Sequence, residues 1–560
     1  MIVAREETSQ THLSTGVWGR VTLDQVLEKN AATKPDKIAV ADFSDRADWT
    51  TGRPKQLTYA ELDQRVETLA AFFAGLGLAP DSVIGVQMPA TTDAVVVFFA
   101  ALRAGLVVAP MPLAWREAEI IAGLTQVGAK AVVTVAEIVG DLSGERIRDV
   151  AGELFHIRFV FAAGGSVPDG LIDLDRVFDE RESLGSAPNL IRKGNAADHA
   201  ATLSWSLTAS GGKLSPLAKS HNHWIATGLM TLLEARVDQT AVIVMPFALT
   251  SMIALGGGLI PWLLACGTLV LGLPASVDAL AAIAVEFNAT HVMMPQRFAR
   301  RLAERFDMHR FEPMLLVAGA DRPIETAMPR GFRIIDLTAV GDIALVARKR
   351  IDHSTRQALP IGVVGSPSDT DFAPLLVETR VKAVPQRAGD AARGGAATGE
   401  ATVRGPMVPE FYWGAGGRPQ AIGEADEWTG TGASVQVVSV QPPQFELRGA
   451  MNDVTGQGGL AVDLRDLDAL YQSVDSVSDA VAVPFPDATS PRVAAVVVSR
   501  DVGAFDRAAF VSAIEAARVG VHKVPIDVFP VPAIARSASE RVLRSGMASR
   551  LAGLSTETQK

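Results

Sequence analysis

The sequence predicts an α/β protein with a large N-terminal domain and a small α+β domain at its C-terminal end. Three observations carry this. A chain of 560 residues is too long for one compact core, since domains run to ~100–200 residues. Its first half alternates helix-period and strand-like segments. Its character changes after Asp453, where a helix, two strand-like runs and another helix follow within about a hundred residues, an ordinary domain length.

The elements can be justified in order. Thr22 to Gln25 reads as a capping box ahead of a helix, and Thr58 to Glu61 as a second, because hydroxyl and carboxylate or amide can satisfy first-turn amides. Behind Thr58, the residues Leu62, Val66, Leu69 and Phe73 keep one helical face apolar, and Gly75 and Gly77 end it. VIGVQM (83–88) is a strand, residues 94–103 a helix, LVVAPMP (106–112) a strand, residues 117–127 a helix and AVVTV (131–135) a strand. That alternation predicts a largely parallel sheet. RAGDAARGGAATG (387–399) reads as an exposed loop. Toward the end, residues 463–474 and 507–518 read as helices, and AVAVPF (480–485) and VAAVVVSR (493–500) as strands. There is no internal repeat.

Composition narrows the class. Hydrophobic residues make up 48% and charged residues 20%, the balance of a globular protein. Lys plus Arg is 52 and Asp plus Glu is 62, a formal net charge of −10. With no long basic run, nucleic acid and anionic membrane are not expected partners. A single cysteine, Cys266, excludes a disulfide framework and a cysteine-cluster metal site. The opening MIVAREETSQTHLSTG is polar and lacks the pattern of a secretory signal, so a soluble cytoplasmic protein is expected. Residues 239–277 carry no charge, which is long enough to raise a membrane helix. Pro246, Gly256 to Gly258 and Pro261 interrupt that run, so it reads as a buried strand (241–245), a buried helix (252–264) and a second strand (268–273), with no membrane span.

Several segments then resemble one family. TYAELDQRVETLAAFFAGLGLAPDSVIGVQMP (58–89) and AALRAGLVVAPMPL (100–113) look like the N-terminal signature of the adenylate-forming acyl- and aryl-CoA synthetases. LTASGGKLSPLAKSH (207–221), VAGADRP (317–323), IIDLTAVGDIA (334–344), GEATVRGPMV (399–408), EWTGTGA (427–433), RGAMNDV (448–454) and IARSASERVLR (534–544) follow in that family's order. The scaffold positions Gly105, Pro110, Gly319, Gly405, Trp428 and Asp453 also match it. The resemblance implies an acyl-CoA synthetase-like large domain (1–449) and a small mobile α+β domain (450–560), with a hinge near Asp453. It implies two half-reactions: a carboxylate attacks the α-phosphate of ATP, and a thiol, usually of coenzyme A, then displaces AMP. ATP or AMP, magnesium and coenzyme A are the cofactors it implies, and a small acyl or aryl acid is the ligand. A homodimer or a partner protein stays open.

Residue by residue, the resemblance assigns Thr208, Ser210, Gly211, Gly212 and Lys213 to a phosphate loop, with Lys213 and Lys219 as sources of charge because Leu217 follows Pro216. A solvent loop between two strands is an equal reading. In the adenine and magnesium motif, Thr338 is kept, but Ile335 replaces the aromatic and Ala339 the glutamate; Asp342 is the nearby substitute, against a plain strand and loop. Gly319 and Ala320 lie on the nucleotide side. Ala433 stands where an aspartate would hold both ribose hydroxyls, and a methyl group accepts no hydrogen bond. Ala450 replaces the arginine that precedes the hinge Asp453. Gly458 and Gly459 match the thiol-entry side or an ordinary turn. Arg541, after Glu540, stands at the adenylating lysine and keeps charge but not ammonium geometry. Arg541 and Thr338 are the catalytic candidates. Phe247, Ala248 and Met252 line an apolar acyl pocket or pack as core. His221, two residues from His223, is expected to be structural, since further metal-ligand spacing is missing.

A retained scaffold with altered nucleotide positions leaves three functions: an acyl- or aryl-CoA ligase with an unusual ATP site and weak or lost adenylation, a pseudoenzyme, or an ATP-independent acyl or thioester binder.

Overall fold

The computed structural model describes residues 1–179, 185–206, 215–306, 313–319, 331–351, 356–370, 372–383, 398–414, 417–424, 427–450, 453–457, 460–485, 492–500, 505–517, 519, 523–536, 542–544, 547 and 551. Three sheets build the large domain. The first has nine strands, in the order Arg418–Ala421, Phe411–Gly414, Ser215–Ser220, Ala200–Ser206, Val107–Pro110, Val83–Val86, Ala131–Val135, Phe159–Ala163 and Ile172–Asp173. Its strands from Ala200–Ser206 onward are parallel, as the early alternation predicts, while Ser215–Ser220 turns back antiparallel.

The second sheet has eight strands. Ile334–Val340, Met314–Gly319, His291–Pro295, Val242–Met245, Thr268–Leu271 and Ile38–Asp42 run parallel, with Ala344–Lys349 and Gln56–Thr58 antiparallel at the two edges. The third is antiparallel and six-stranded: Leu359–Pro360, Pro443–Ala450, Thr429–Val440, Thr398–Arg404, Leu375–Ala383 and Gly362–Gly365. Thr398 and Gly399, expected in the exposed loop, belong to a strand because they pair with Gln436 and Val435. The rest of that stretch, through 397, lies outside the described residues.

Helices fill the space between the sheets. Leu23–Thr33 begins at the expected box, where Gln25 Oε1 accepts from Thr22 N at 3.0 Å. Tyr59–Gly75 begins at the other, with Glu61 Oε2 accepting from Thr58 N at 2.8 Å and Thr58 Oγ1 from Glu61 N at 3.2 Å. Leu62, Val66, Leu69 and Phe73 are all buried on its inner face. Trp224 and Trp262 are fully buried, and each finds an acceptor for its indole N–H: Thr202 Oγ1 at 2.8 Å and Ala39 O at 2.9 Å.

The uncharged run is internal. Val242–Met245 and Thr268–Leu271 are neighbouring parallel strands, and residues 252–265 form the helix between them. Leu255–Leu259 within it winds as a single π turn, a local widening that is common at functional sites. Its three glycines are explained by packing. A Cβ at Gly256 would stand 2.4 Å from Thr227 Cγ2, at Gly257 2.9 Å from Leu337 Cδ1, and at Gly258 2.3 Å from Met245 Sδ. Among the described residues, no helix is long and apolar enough to cross a membrane.

The C-terminal region is a small α+β unit. Val477–Phe485 and Arg492–Ser499 pair antiparallel, Val528–Pro530 joins in parallel, and the helices Leu464–Gln472 and Arg507–Ala516 bury Leu464, Leu467, Tyr471, Phe510 and Ile514 against one face.

The glycine packing generates a stability prediction. Gly258→Ala forces its methyl into Met245 and Met293, and overpacking a filled core costs ~1–3 kcal/mol. The thermal unfolding midpoint should fall by roughly 1–3 °C, against no fall for Gly75→Ala, where the added Cβ meets nothing within 4 Å. Equal midpoints for the two variants would show that the helix can shift freely.

Candidate functional site

The turn at residues 341–343, the segment around Thr431 and the buried Lys219 meet where the three sheets join. The strand Ile334–Val340 ends in a tight turn that carries Gly341 at φ +62° and Asp342 at φ +58° before Ala344–Lys349 returns. Gly341 must be a glycine: a Cβ there would stand 2.1 Å from Thr431 O. The expected Asp342 and the Thr431 to Ala433 motif, about ninety residues apart in sequence, are thereby pressed together.

Lys219 holds that turn from below. The sequence reading gave it to the phosphate loop as a source of charge; the structure corrects this. It lies on the strand Ser215–Ser220 with its side chain turned inward and no exposed surface. Its Nζ donates to Ile343 O at 2.9 Å and Met407 O at 3.1 Å, and sits 5.1 Å from the centre of the Trp224 ring. Burial pushes its pKa down to about 7, with the nearby Asp342 charge opposing. A neutral amine has two N–H groups, matching the two carbonyls it faces.

The ribose motif is closed in a different way. Thr431 Oγ1 donates to Ala401 O at 2.6 Å, and Gly432 N donates to Glu400 Oε1 at 3.0 Å. Ala433 is 1% exposed and packs in the main apolar cluster, and so is Ala339 on the face that Ile335 and Leu337 share. Ala339 and Ala433, the two positions at which the resemblance leads one to expect carboxylates, are methyl groups in an apolar environment. Among the described residues, no group of three His, Cys, Asp or Glu side chains could hold a metal ion.

Thr338 faces the opposite side of its strand, toward a polar cluster. Arg356 Nη2 donates to Thr338 Oγ1, and Arg356 Nη1 lies 3.4 Å from Gln296 Oε1. Gly319 ends the neighbouring strand, where a Cβ would stand 2.7 Å from Gln296 Oε1 and 3.2 Å from Arg356 Nη1. An amide and a guanidinium thus pack directly against Gly319. Phe247 and Ala248 are half-buried after the strand Val242–Met245, and Met252 is 3% exposed within the apolar cluster.

His221 has the structural role expected of it. Its Nδ1 accepts from Leu23 N at 3.1 Å, and burial, with Arg192 next in effect, lowers its pKa to about 3. Asp453, the expected hinge, is buried, and its Oδ1 accepts from Arg544 Nε at 2.9 Å. Arg544 also donates through Nη1 to Asp468 Oδ1 at 3.0 Å and to Ala482 O at 2.6 Å. The last residue of IARSASERVLR thus folds back onto RGAMNDV. Thr208, Ser210, Gly211, Gly212, Lys213, Ala320, Gly458, Gly459 and Arg541 lie outside the described residues.

Sequence reasoning missed Gln296, Arg356 and Glu400. Glu400 lay in the quoted GEATVRGPMV, where a carboxylate two residues before a strand-like run gave no role. Gln296 and Arg356 belong to no quoted motif, and only the fold brings them beside Thr338.

The arrangement of three sheets followed by a small α+β unit is the scaffold of adenylate-forming enzymes. The AMP-binding enzyme family matches residues 27–413, and the chain belongs to that family. Relatives cover most of its length. It is 25% identical over 497 residues to the salicyl-AMP ligase / salicyl-S-ArCP synthetase of Mycobacterium tuberculosis, spanning 86% of this chain and 82% of that protein. It is 25% identical over 559 residues to the 2-hydroxy-7-methoxy-5-methyl-1-naphthoate–CoA ligase of Streptomyces carzinostaticus, spanning 94% and 93%. The crystal structure of ATP-bound MatB from Rhodopseudomonas palustris shares the fold with a TM-score of 0.69 at 17% identity, covering 95% of this chain and 100% of that one. The chain is thus acyl- or aryl-CoA ligase-like, with the large N-terminal and small C-terminal architecture of that group.

The buried lysine makes a pH prediction. Its folded pKa of about 7 lies below the ordinary 10.5, so between those values the unfolded chain binds the extra proton and stability rises with pH. Lys219→Met removes that dependence. The unfolding free energy of the wild type relative to the variant should therefore climb from pH ~7 toward pH ~10 in denaturant titrations. A flat difference would mean that the lysine stays charged when buried.

Proposed function

We propose that the protein binds an aryl or acyl acid in its family's acid site and that its own adenylation step is weak or lost. One observation carries this reading: Ala339 and Ala433, at the positions of the magnesium and ribose carboxylates, are both 1% exposed within one apolar cluster. Neither methyl group can accept a ribose hydroxyl or ligate a cation. Arg541 in place of the adenylating lysine and Ala450 in place of the pre-hinge arginine point the same way.

An aromatic acid is favoured over a fatty acid. Both full-length relatives described above are named for 2-hydroxyaryl acids, and the segment around Phe247, Ala248 and Met252 is uncharged and partly enclosed. The division between the two domains is proposed between Gly449 and Gly456, with Asp453 as its hinge, and Gly458 and Gly459 on the thiol-entry side.

Carboxylate-dependent ATP–pyrophosphate exchange tests the chemistry. Exchange should stay at the no-acid background across salicylate, benzoate and medium-chain fatty acids. Robust exchange with any one of them would sink the reading.

A repair variant tests the cause. Ala433→Asp restores a charged acceptor, and a charge-assisted hydrogen bond contributes ~1.5–3 kcal/mol. AMP affinity should rise by roughly tenfold or more in calorimetry, partly offset by Glu400 close by. A folded variant that binds AMP no better than the parent would place the defect in the space available and not in the missing carboxylate.

A further inference from the structure

A cleft of about 280 Å³ opens between the N-terminal helix Glu6–Ser14 and the strands Leu375–Ala383, Thr398–Arg404 and Thr429–Val440 of the six-stranded sheet. None of its described lining residues belongs to the candidate site above. Arg5 and Arg404 line it together with Glu378, Glu410, Glu424 and Glu427. Each arginine is already matched. Arg404 Nε donates to Glu378 Oε2 at 2.6 Å. Arg5 Nη1 lies 3.8 Å from Glu410 Oε1, and Glu410 also accepts from Arg5 N at 2.9 Å and from Thr8 Oγ1 at 2.7 Å. The other two carboxylates are not matched. Among the described residues no cation pairs with Glu424 or Glu427, and their carboxylates receive one hydrogen bond, from Glu424 N to Glu427 Oε2 at 2.9 Å. Thr429 adds a spare hydroxyl. The residue is 9% exposed, and its Oγ1 has no partner among the described residues and is not sealed in the core, so it opens on the cleft that the residue lines. Leu375, Val408 and Ile422 supply apolar wall.

We infer that this cleft is a second binding site, separate from the acid site, and that it takes a ligand with an alkylammonium arm. The cleft offers spare acceptors: the Glu424 and Glu427 carboxylates at its mouth and the Thr429 hydroxyl within. An ammonium carries three N–H donors and no acceptor, so it can serve all three groups at once. Its hydrogen bonds to carboxylates are charge-assisted, roughly twice as strong as neutral ones. An anion would instead meet two unmatched negative charges. The protein places its own cation here in the same way, since Arg5 Nη2 donates to the carbonyls of Ile422 and Gly423 beside Glu424. The apolar wall suits a short hydrocarbon chain behind the charge, and the volume stands at the small end of ligand pockets, room for one such arm.

The test is calorimetry on the full chain near neutral pH and at low ionic strength, where exposed carboxylates are least screened. The probe is n-pentylamine, and 1-pentanol is its neutral counterpart. The amine should bind roughly tenfold or more tightly than the alcohol, and added salt should narrow the gap. Glu424→Gln combined with Glu427→Gln should bring the amine down to the level of the alcohol while the alcohol stays put. Both residues lie on the surface, where such changes cost little stability. Thr429→Val should remove part of the preference. Nα-acetyl-lysine methylamide separates the two sources of such an arm: binding equal to that of pentylamine supports a lysine side chain, and weaker binding supports a free amine. Absence of binding by both amines, equal affinity for pentylamine and pentanol, or an undiminished amine preference in the double variant would each overturn the site. None of these results depends on acid binding or pyrophosphate exchange, so the cleft assignment can fail while the proposed function stands, and the reverse.

Discussion

One nitrogen atom joins the three sheets of the large domain. Lys219 belongs to the nine-stranded sheet, Ile343 to the terminal turn of the eight-stranded sheet, and Met407 to the segment that follows a strand of the six-stranded sheet. Burying an amine is costly unless its hydrogens are matched, and here both carbonyls are oriented by separate sheets. The turn with Asp342 is consequently held against Thr431, where Gly341 permits backbone contact that any other residue would block. Met407 adds to the tie by accepting from Leu345 N through its Sδ at 3.4 Å. The placement of Thr338 follows from that junction, since it lies four residues before Asp342 on a strand anchored by the same turn.

Around that junction the distribution of polarity is uneven. The side of the Ile334–Val340 strand that carries Ile335, Leu337 and Ala339 is sealed by the helix of residues 252–265, whose π turn and three glycines let it approach closely. The other side carries Asp336, bonded twice to Arg350 at 2.8 Å, and Thr338, bonded to Arg356. Ala339 and Ala433 lie in the apolar cluster, while Arg350 and Arg356 stand on the polar side of the strand. A family scaffold can keep its architecture under such a change because its sheets are tied by backbone groups and buried side chains away from the altered positions.

The small C-terminal unit is held together internally by the same kind of contact. Arg544 reaches Asp453, Asp468 and the carbonyl of Ala482, so residue 544 is fastened to the segment around Asp453 and to the helix and strand that follow it. Removing one member of such a buried set would leave the others unpaired, which costs more than the net worth of any one bond.

Much of this was legible in the sequence. The capping boxes at Thr22 and Thr58, the alternating helices and strands through Val135, and the internal nature of the uncharged run follow from local rules: hydroxyls cap first turns, apolar residues repeat with the period of their element, and glycine and proline interrupt. The family's order of motifs placed Thr338, Ala433 and Asp453 in one protein, and the chemistry of the alanines could be read directly from their side chains. Lys219, Gln296, Glu400 and Arg356 could not be read in this way. Lys219 reads as a source of charge for the phosphate loop because Leu217 follows Pro216, yet strand alternation turns it inward, where the carbonyls of Ile343 and Met407 receive it. Arg356 sits 18 residues from Thr338 along the chain, and only the return of the antiparallel strand Ala344–Lys349 brings it beside the strand ends. Local sequence determines elements because hydrogen bonding and periodicity act over a few residues. Tertiary structure decides which charges are buried, paired or gathered at a site, because electrostatic and packing energies depend on distance in space and not on separation along the chain.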